Sequence, residues 1–203
     1  MNMSMLGLPS GTLWATCNIG ANSPEEFGDY FAWGETEPKE FYGWGNYKWL
    51  NLIDGQYIEL TKYSTDIEYG MMDGKTVLDP EDDAAYVNWG PSWGMPTKEQ
   101  FLELITRCGY GKKSTLNGVN GRLFTGPNGN TIFLPAAGVR MNDSFEYAGS
   151  DGYYWSSVLD TSDELGPVFA SILEFHSYKF RSECYEEIRI WGLTVRPVRV
   201  PQE

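Results

Sequence analysis

The clearest amphipathic pattern in the chain begins just before residue 100. Thr97 and Gln100 are three residues apart and form a capping box, which satisfies the free backbone N–H groups at the start of a helix. Apolar residues then recur at helical spacing, at Phe101, Leu102, Leu104 and Ile105. The pattern predicts a helix over residues 98–107 whose apolar stripe faces a sheet.

A second helix start is indicated about twenty residues earlier. Asp79 is a good capping residue, Pro80 suits the first helical position, and the acids of residues 81–83 suit the positive end of a helix dipole. The same acids could ligate calcium, but the loop glycine and the regular ligand spacing of an EF-hand are missing. We therefore expect a short helix here and no cofactor, with calcium as the one ion left open.

Strands are predicted wherever a β-prone run is bounded by turn residues. The glycine- and asparagine-rich stretch 126–130 predicts a hairpin between its two flanking runs. The predicted strands cover residues 12–17, 122–125, 131–134, 153–156, 169–175, a weaker stretch at 187–190, and 193–198. Helices early and strands late predict an α+β fold rather than alternating β-α-β units. We expect a single domain over residues 1–203, because no repeat or linker divides the chain.

Residues 20–75 alternate glycines with aromatic residues and follow neither helical nor strand spacing. This pattern predicts long ordered loops whose rings pack inward. The alternative is that the rings stack on sugars at a binding surface.

Charge and composition exclude several function classes. The first 100 residues contain 16 acidic and 5 basic residues, within a formal net charge of −13 for the chain, so nucleic acid is not an expected partner. There is no basic stripe for anionic membranes, and no apolar run reaches the roughly 20 residues that a membrane-spanning helix needs. The apolar start of the chain is also too short for the core of a secretion signal. Aromatic residues at 15% indicate a rigid core rather than disorder.

Three cysteines, Cys17, Cys108 and Cys184, are too few for a disulfide framework and are not paired closely enough for a zinc site. A single disulfide and three free thiols are equally compatible with their positions.

Several separate blocks, in order along nearly the whole chain, carry a family resemblance. The blocks are GLPSGTLWATCNIGA (7–21), GDYFAWGE (28–35), DDAA (82–85), NWG (88–90), MPT (95–97), LPAAG (134–138), YWSS (154–157) and VRPV (195–198). Together they resemble the Fibrobacter succinogenes major paralogous domain. That family is similar to C-type-lectin-like folds, a clan that also includes formylglycine-generating enzymes and the variable proteins of diversity-generating retroelements.

The resemblance implies a C-type-lectin-like α+β fold with two short helices, a mixed or antiparallel sheet and long ordered loops rich in aromatic residues. It also implies an extracellular or cell-surface location in gut-type anaerobic bacteria or their phages. It supplies no ligand, because the family has no settled activity.

The chain departs most from the family pattern between residues 158 and 190. Large polar and aromatic side chains replace a bland run there, between positions that match the family's core. Tyrosine and arginine offer wide contact area and directional hydrogen bonds, which is why binding surfaces favour them. We therefore predict a contact surface within residues 160–189, and its candidate ligand-binding residues are Asp160, Asp163, Tyr178, Phe180, Arg181, Glu183, Tyr185 and Glu187. The alternative interpretation is an ordinary solvated strand pair.

Enzyme signatures are weak by comparison. Ser92 lies in a G-x-S-x-G pattern, and the order Ser92, Asp143, His176 matches a hydrolase triad, but the surrounding pattern is α+β rather than a parallel sheet. Formylglycine-generating chemistry would need two close thiols late in the chain, where only Cys184 is found. His176 is expected on the surface at a strand end, and residues 111–114 are expected to form a basic turn rather than a phosphate loop.

The sequence thus predicts a non-catalytic, lectin-like binding module for a protein or carbohydrate ligand on another cell surface. It predicts no nucleic-acid partner and no direct membrane insertion. The alternatives are a structural or adhesive subunit of a bacterial surface assembly and, with less support, an enzyme. A further hypothesis is that a retroelement diversifies the C-terminal segment.

Overall fold

A computed structural model describes residues 2–55, 57–161, 166–179 and 181–199. Within these residues the fold is mixed α and β, with two α-helices and sheets whose named strands all pair antiparallel. The predicted α+β class is therefore confirmed. The helices are α1 (Ala84–Trp89) and α2 (Lys98–Arg107). The strands are β1 (Met3–Met5), β2 (Leu13–Ala15), β3 (Leu50–Ile53), β4 (Tyr57–Leu60), β5 (Lys112–Leu116), β6 (Val119–Thr125), β7 (Thr131–Pro135), β8 (Val139–Met141), β9 (Ser144–Glu146), β10 (Gly152–Leu159), β11 (Phe169–Phe175), β12 (Ser182–Ile188) and β13 (Val198–Arg199).

Helix α2 has the predicted boundaries because its start is fixed locally. Thr97 Oγ1 accepts a hydrogen bond from the Gln100 backbone N–H at 3.2 Å, and Gln100 Oε1 accepts one from the Thr97 N–H at 2.9 Å. Phe101 and Leu104 are buried in the same cluster as Leu173 and Phe175 of β11, so the apolar stripe packs on a sheet as expected.

The second helix begins later than predicted. Pro80–Asp82 forms a short 3-10 turn, and α1 starts only after Asp83, whose Oδ1 accepts from the backbone N–H groups of Ala85 and Tyr86. Asp79 makes no capping hydrogen bond. Asp83 is the better cap because its other oxygen also accepts from the Met95 N–H at 2.8 Å, which ties the helix start to the next segment.

Two three-stranded sheets lie in the second half of the chain, beside the short β8-β9 pair. One has the order β5-β6-β7 and contains the predicted hairpin, and the other has the order β10-β11-β12. A third sheet, β1-β2-β13, pairs segments from both ends of the described chain.

Three strand predictions near these sheets need correction. Residues 187–190 were predicted as a strand, but β12 ends at Ile188, and Arg189 and Ile190 form a turn in which the Trp191 N–H reaches the Ile188 carbonyl. Residues 193–198 form isolated bridges and the short β13 rather than one strand. The expected basic turn at 111–114 is largely the start of β5.

The region 20–75 is mostly ordered loop, as predicted, but it also contains the hairpin β3-β4. Most of its rings pack inward and satisfy their polar atoms there. Trp33 Nε1 donates to the Ser156 carbonyl at 2.9 Å, and Tyr47 Oη donates to the Trp33 carbonyl at 2.6 Å. Phe41, in contrast, is exposed. Buried rings with hydrogen-bonded polar atoms fix loops that lack regular structure.

Arg189 joins these loops to the late sheet. It is fully buried, and its guanidinium donates to Tyr47 Oη and to the carbonyls of Lys62, Tyr63 and Pro167. The result is one continuous scaffold in which the loops and the sheets share a core.

No helix in the described part of the chain is both long and apolar enough to cross a membrane.

Candidate functional site

The site is the exposed end of the β11-β12 hairpin, which projects from a buried strand. Six of the seven residues of β11 are buried, and β12 is the outer strand of its sheet. Tyr178, in the connection, is 71% exposed, and Tyr185, on β12, is 57% exposed. The solvent exposure of these two tyrosines is unusual, because most of the large aromatic side chains of this chain are buried or half-buried.

Arg181 extends this exposed region toward α2. Its guanidinium lies 4.9 Å from the ring centroid of Tyr110, a cation–π contact, and both side chains are exposed. The Tyr110 carbonyl also accepts from the Ser182 N–H at 3.1 Å. We call Tyr110, Tyr178, Arg181, Glu183 and Tyr185 together the tip surface.

A buried arginine holds the backbone beneath the tip surface. Arg122 of β6 is only 2% exposed, and its Nη2 donates to the carbonyls of His176 at 3.2 Å and Lys179 at 2.7 Å. Its Nη1 donates to the Gly111 carbonyl at 3.1 Å. One rigid guanidinium thus fixes three carbonyls, which the single point charge of a lysine could not do with the same geometry.

His176 forms a second clamp under the tip. Its Nδ1 lies 3.3 Å from Asp151 Oδ2, and its Nε2 lies 3.2 Å from Glu174 Oε1. Both contacts are hydrogen bonds only when both ring nitrogens carry a hydrogen. Tyr178 stacks on the imidazole, with ring centroids 5.1 Å apart and planes at 23°. The prediction that His176 sits at a strand end is confirmed, but the residue is largely buried rather than on the surface.

Lys179 continues the charged network along the hairpin. Its Nζ lies 3.0 Å from both Glu174 Oε1 and Glu183 Oε2, and hydrogen bonds to these two carboxylates raise the pKa of the lysine. Glu183 remains exposed beside it. The tip surface therefore carries mixed charge around its tyrosines.

The structure separates the predicted site residues into two groups. Tyr178, Arg181, Glu183 and Tyr185 are exposed and lie between the connection and the middle of the hairpin, where Tyr185 pairs with Ile172. Asp160 lies at the opposite end of β11, where its N–H donates to the Phe169 carbonyl at 3.0 Å. Since β11 has seven residues, the two ends are about 20 Å apart.

Asp160 was predicted to contact ligand, and this assignment needs correction. The residue is only 6% exposed, because it follows the buried end of β10. Glu187 pairs in register with Ala170 at that same end and is half-buried. Burial is the main cause that raises the pKa of Glu187, to about 7, and the charge of Glu174 adds to it.

The outer limits of the predicted surface also change. Arg189 was its last residue, but it is buried in the core. Asp163 and Phe180 lie outside the described residues. The surface that the structure describes is thus the tip half of the hairpin rather than the whole of residues 160–189.

The enzyme signatures do not converge in the described part of the chain. Ser92 lines a cleft with Trp93 and Gln100 at the start of α2, whereas His176 lines a different pocket at the end of β11. Asp143 lies in the turn between β8 and β9. All three cysteines are free, and burial raises the pKa of Cys184 to about 12.

The acidic run considered for calcium is occupied by protein partners. Asp82 is buried and bonds to Lys48, Lys62 and Tyr63, and Asp79 pairs with Lys62 and Lys75. The described residues contain no group of three or more His, Cys, Asp or Glu side chains placed to hold a metal.

Sequence reasoning missed the supports of the site. Arg122 lies 54 positions before His176, and Asp151 lies 26 positions before Ser177, so no local pattern connects either residue with the tip. Tyr110, which belongs to the tip surface, is likewise far from the hairpin in sequence and was missed for the same reason. The one available signal was Arg122, a charged residue at the start of the predicted strand 122–125.

Searches of family models, curated proteins and solved structures find no match for this chain.

Proposed function

We propose that this protein is a non-catalytic recognition module that binds a protein or glycan through the tip surface. The observation that carries the proposal is the pair of exposed tyrosines, Tyr178 and Tyr185, on a hairpin whose backbone is fixed from below by Arg122 and His176. Tyrosine contributes large contact area at low entropic cost, and a preorganised backbone lowers the cost of binding further.

The sequence resemblance supports the finer parts of the proposal. It suggests a C-type-lectin-like fold and a place outside the cell, where the ligand would lie on another cell. The mixed α+β architecture is compatible with that fold and does not by itself identify it.

The test is a screen of the purified protein on glycan and protein arrays, with and without a chelator. A variant with Tyr178, Arg181 and Tyr185 all changed to Ala is screened beside it, and Tyr86→Ala, at an exposed tyrosine of α1, is the matched control. We expect the array signal of the triple variant to be at least tenfold lower than that of wild type, and the signal of Tyr86→Ala to equal that of wild type. A ligand bound equally by all three proteins would contradict the assignment of the site.

The proposal that a retroelement diversifies this hairpin is tested separately, at the locus. A reverse transcriptase gene and a nearby template repeat covering the tip codons are expected. Their absence would reject diversification without affecting the recognition role.

A second function, as a subunit of a surface assembly, is favoured by one exposed apolar cluster in the sequence. Ile67, Met71 and Met72 are each more than half exposed. Exposed apolar residues of this kind are typical of interfaces when they form one patch. Light scattering across a concentration series distinguishes the two functions, because assembly predicts growth in mass without any ligand.

A further inference from the structure

A pocket of about 320 Å³ lies directly beside the tip surface. It opens between the β5-β6 pair and the start of the hairpin connection, and its walls include Lys113, Ser114, Asn120, His176 and Ser177. Its size is at the lower end of the range for small-molecule sites.

The pocket differs in charge from the rest of the chain. Two basic residues, Lys113 and Arg122, line it together with His176, and no Asp or Glu does so among the described residues. The chain as a whole has 28 acidic and 15 basic residues, so this is a local reversal of sign. Asp151 and Glu174 do not line the pocket, and their carboxylate oxygens lie 3.3 and 3.2 Å from the two ring nitrogens of His176. A negatively charged group is therefore the favoured occupant.

The remaining lining groups suit a polyol. The hydroxyls of Ser114 and Ser177 make no hydrogen bond within the part of the chain that the structure describes, and both residues are partly or fully exposed. The Asn120 side chain is oriented by Gly149, whose carbonyl accepts from Nδ2 at 3.0 Å. Phe175 adds an apolar surface. Hydroxyls, an amide and part of an aromatic residue around one small cavity match the mixed polar and apolar faces of a sugar.

We infer that this pocket binds a single carboxylate-bearing sugar residue of the uronic acid class, which would be one unit of the glycan that the tip surface recognises. The carboxylate would lie toward the exposed Lys113, and the sugar hydroxyls toward Ser114, Asn120 and Ser177. This inference rests on the proposed function and narrows its ligand to acidic glycans.

The experiment titrates the whole protein with glucuronic acid, glucose and acetate and follows backbone amide shifts by NMR. We expect glucuronic acid to shift the amides of residues 113–115, 120 and 177, and to bind at least tenfold more tightly than glucose or acetate. Equal binding of acetate would reduce the pocket to a simple anion site, and no shift with glucuronic acid would exclude a sugar site. Either result overturns the inference.

Two variants locate the binding. Lys113→Met should weaken the binding of glucuronic acid at least tenfold. Lys112 is the adjacent exposed lysine outside the pocket, and Lys112→Met should leave the binding unchanged. Because Lys113 Nζ also donates to the Ser177 carbonyl, Ser114→Phe provides a second variant that fills the pocket without removing this contact. Unchanged binding in both Lys113→Met and Ser114→Phe would contradict the assigned position.

The same titration separates this inference from the proposed function. The triple alanine variant of the tip keeps every residue that lines the pocket, so it should still bind glucuronic acid while losing the array ligand. Loss of the array ligand without any glucuronic acid binding would reject the pocket and leave the recognition role intact. If the protein binds glucuronic acid but the triple variant keeps the array ligand, the recognition role of the tip surface is rejected and the pocket assignment stands.

Discussion

At the scale of single residues, the unusual groups of this protein are ionisable side chains that are buried or half-buried. Glu187 is half-buried at the end of the hairpin away from the tip, and burial raises its pKa to about 7. Asp83 is buried under the start of α1, where burial also raises the pKa of its carboxyl. Such groups make stability depend on pH and on individual hydrogen bonds.

Glu187 should make the protein less stable as pH rises. An acid with a raised pKa holds its proton longer in the folded state than in the unfolded state, so stability falls from about pH 4.5 to about pH 7 and then levels. We expect the free energy of unfolding of Glu187→Gln to increase relative to that of wild type across that pH range. The increase is roughly 3 kcal/mol at most if each pKa unit is worth about 1.4 kcal/mol. Urea unfolding at pH 4.5, 6 and 8 checks this, and a difference that is independent of pH would contradict it.

Asp83 offers a second residue-scale prediction, because one carboxylate accepts three backbone N–H groups. Asp83→Ala would leave all three without a partner and should lower the free energy of unfolding by about 3 kcal/mol. Asp66→Ala, which removes the cap of an exposed 3-10 turn at Glu68, is the control and should cost less than about 1 kcal/mol. Thermal or urea unfolding of both variants tests this prediction, and an equal decrease in the free energy of unfolding of the two variants would contradict it.

At the scale of elements, the hairpin connection is fixed by contacts from another sheet. Arg122 is on β6, and it bonds to the carbonyls of His176 and Lys179. We expect Arg122→Lys to raise amide hydrogen exchange at residues 176–179, since one ammonium cannot reach all the carbonyls, while β11 keeps its protection. Unchanged exchange in the connection would show that Arg122 does not hold it.

The elements also show where sequence reasoning succeeds. Helix α2 and the β6-β7 hairpin are recognisable because their signals, a capping box and a glycine-rich turn, are local. The β3-β4 hairpin is missed because most of the side chains on β3 are exposed, so no apolar alternation marks it. The start of α1 is misplaced because Asp79 and Asp83 are equally good caps in sequence, and only the contact with Met95 distinguishes them.

The candidate site follows the same rule. The exposed tyrosines are predictable because the tip is one continuous segment. Asp160 belongs to the same candidate segment in sequence but is buried near the other end of β11, and the separation of these ends depends on strand pairing. The His176 clamp requires Asp151, 25 positions earlier, which only the antiparallel pairing of β10 with β11 brings near.

At the scale of the whole molecule, buried arginines tie the irregular loops to the sheets. Arg189 connects the end of β12 with three separate segments, through Tyr47, the residues 62–63 and Pro167. Arg189→Met would leave four buried acceptors without this donor and should cost about 3 kcal/mol or more. The exposed Arg107→Met should stay within about 0.5 kcal/mol. Similar midpoints for the two variants in urea would contradict this role.

The central claim is that the tip is held still while its tyrosines stay in water. Backbone ¹⁵N relaxation of the free protein tests this most directly, by comparing residues 177–179 with β11. The account predicts order parameters for the connection close to those of the strand, about 0.85. Values below about 0.6 at residues 177–179 would show a mobile connection and contradict a preorganised recognition surface.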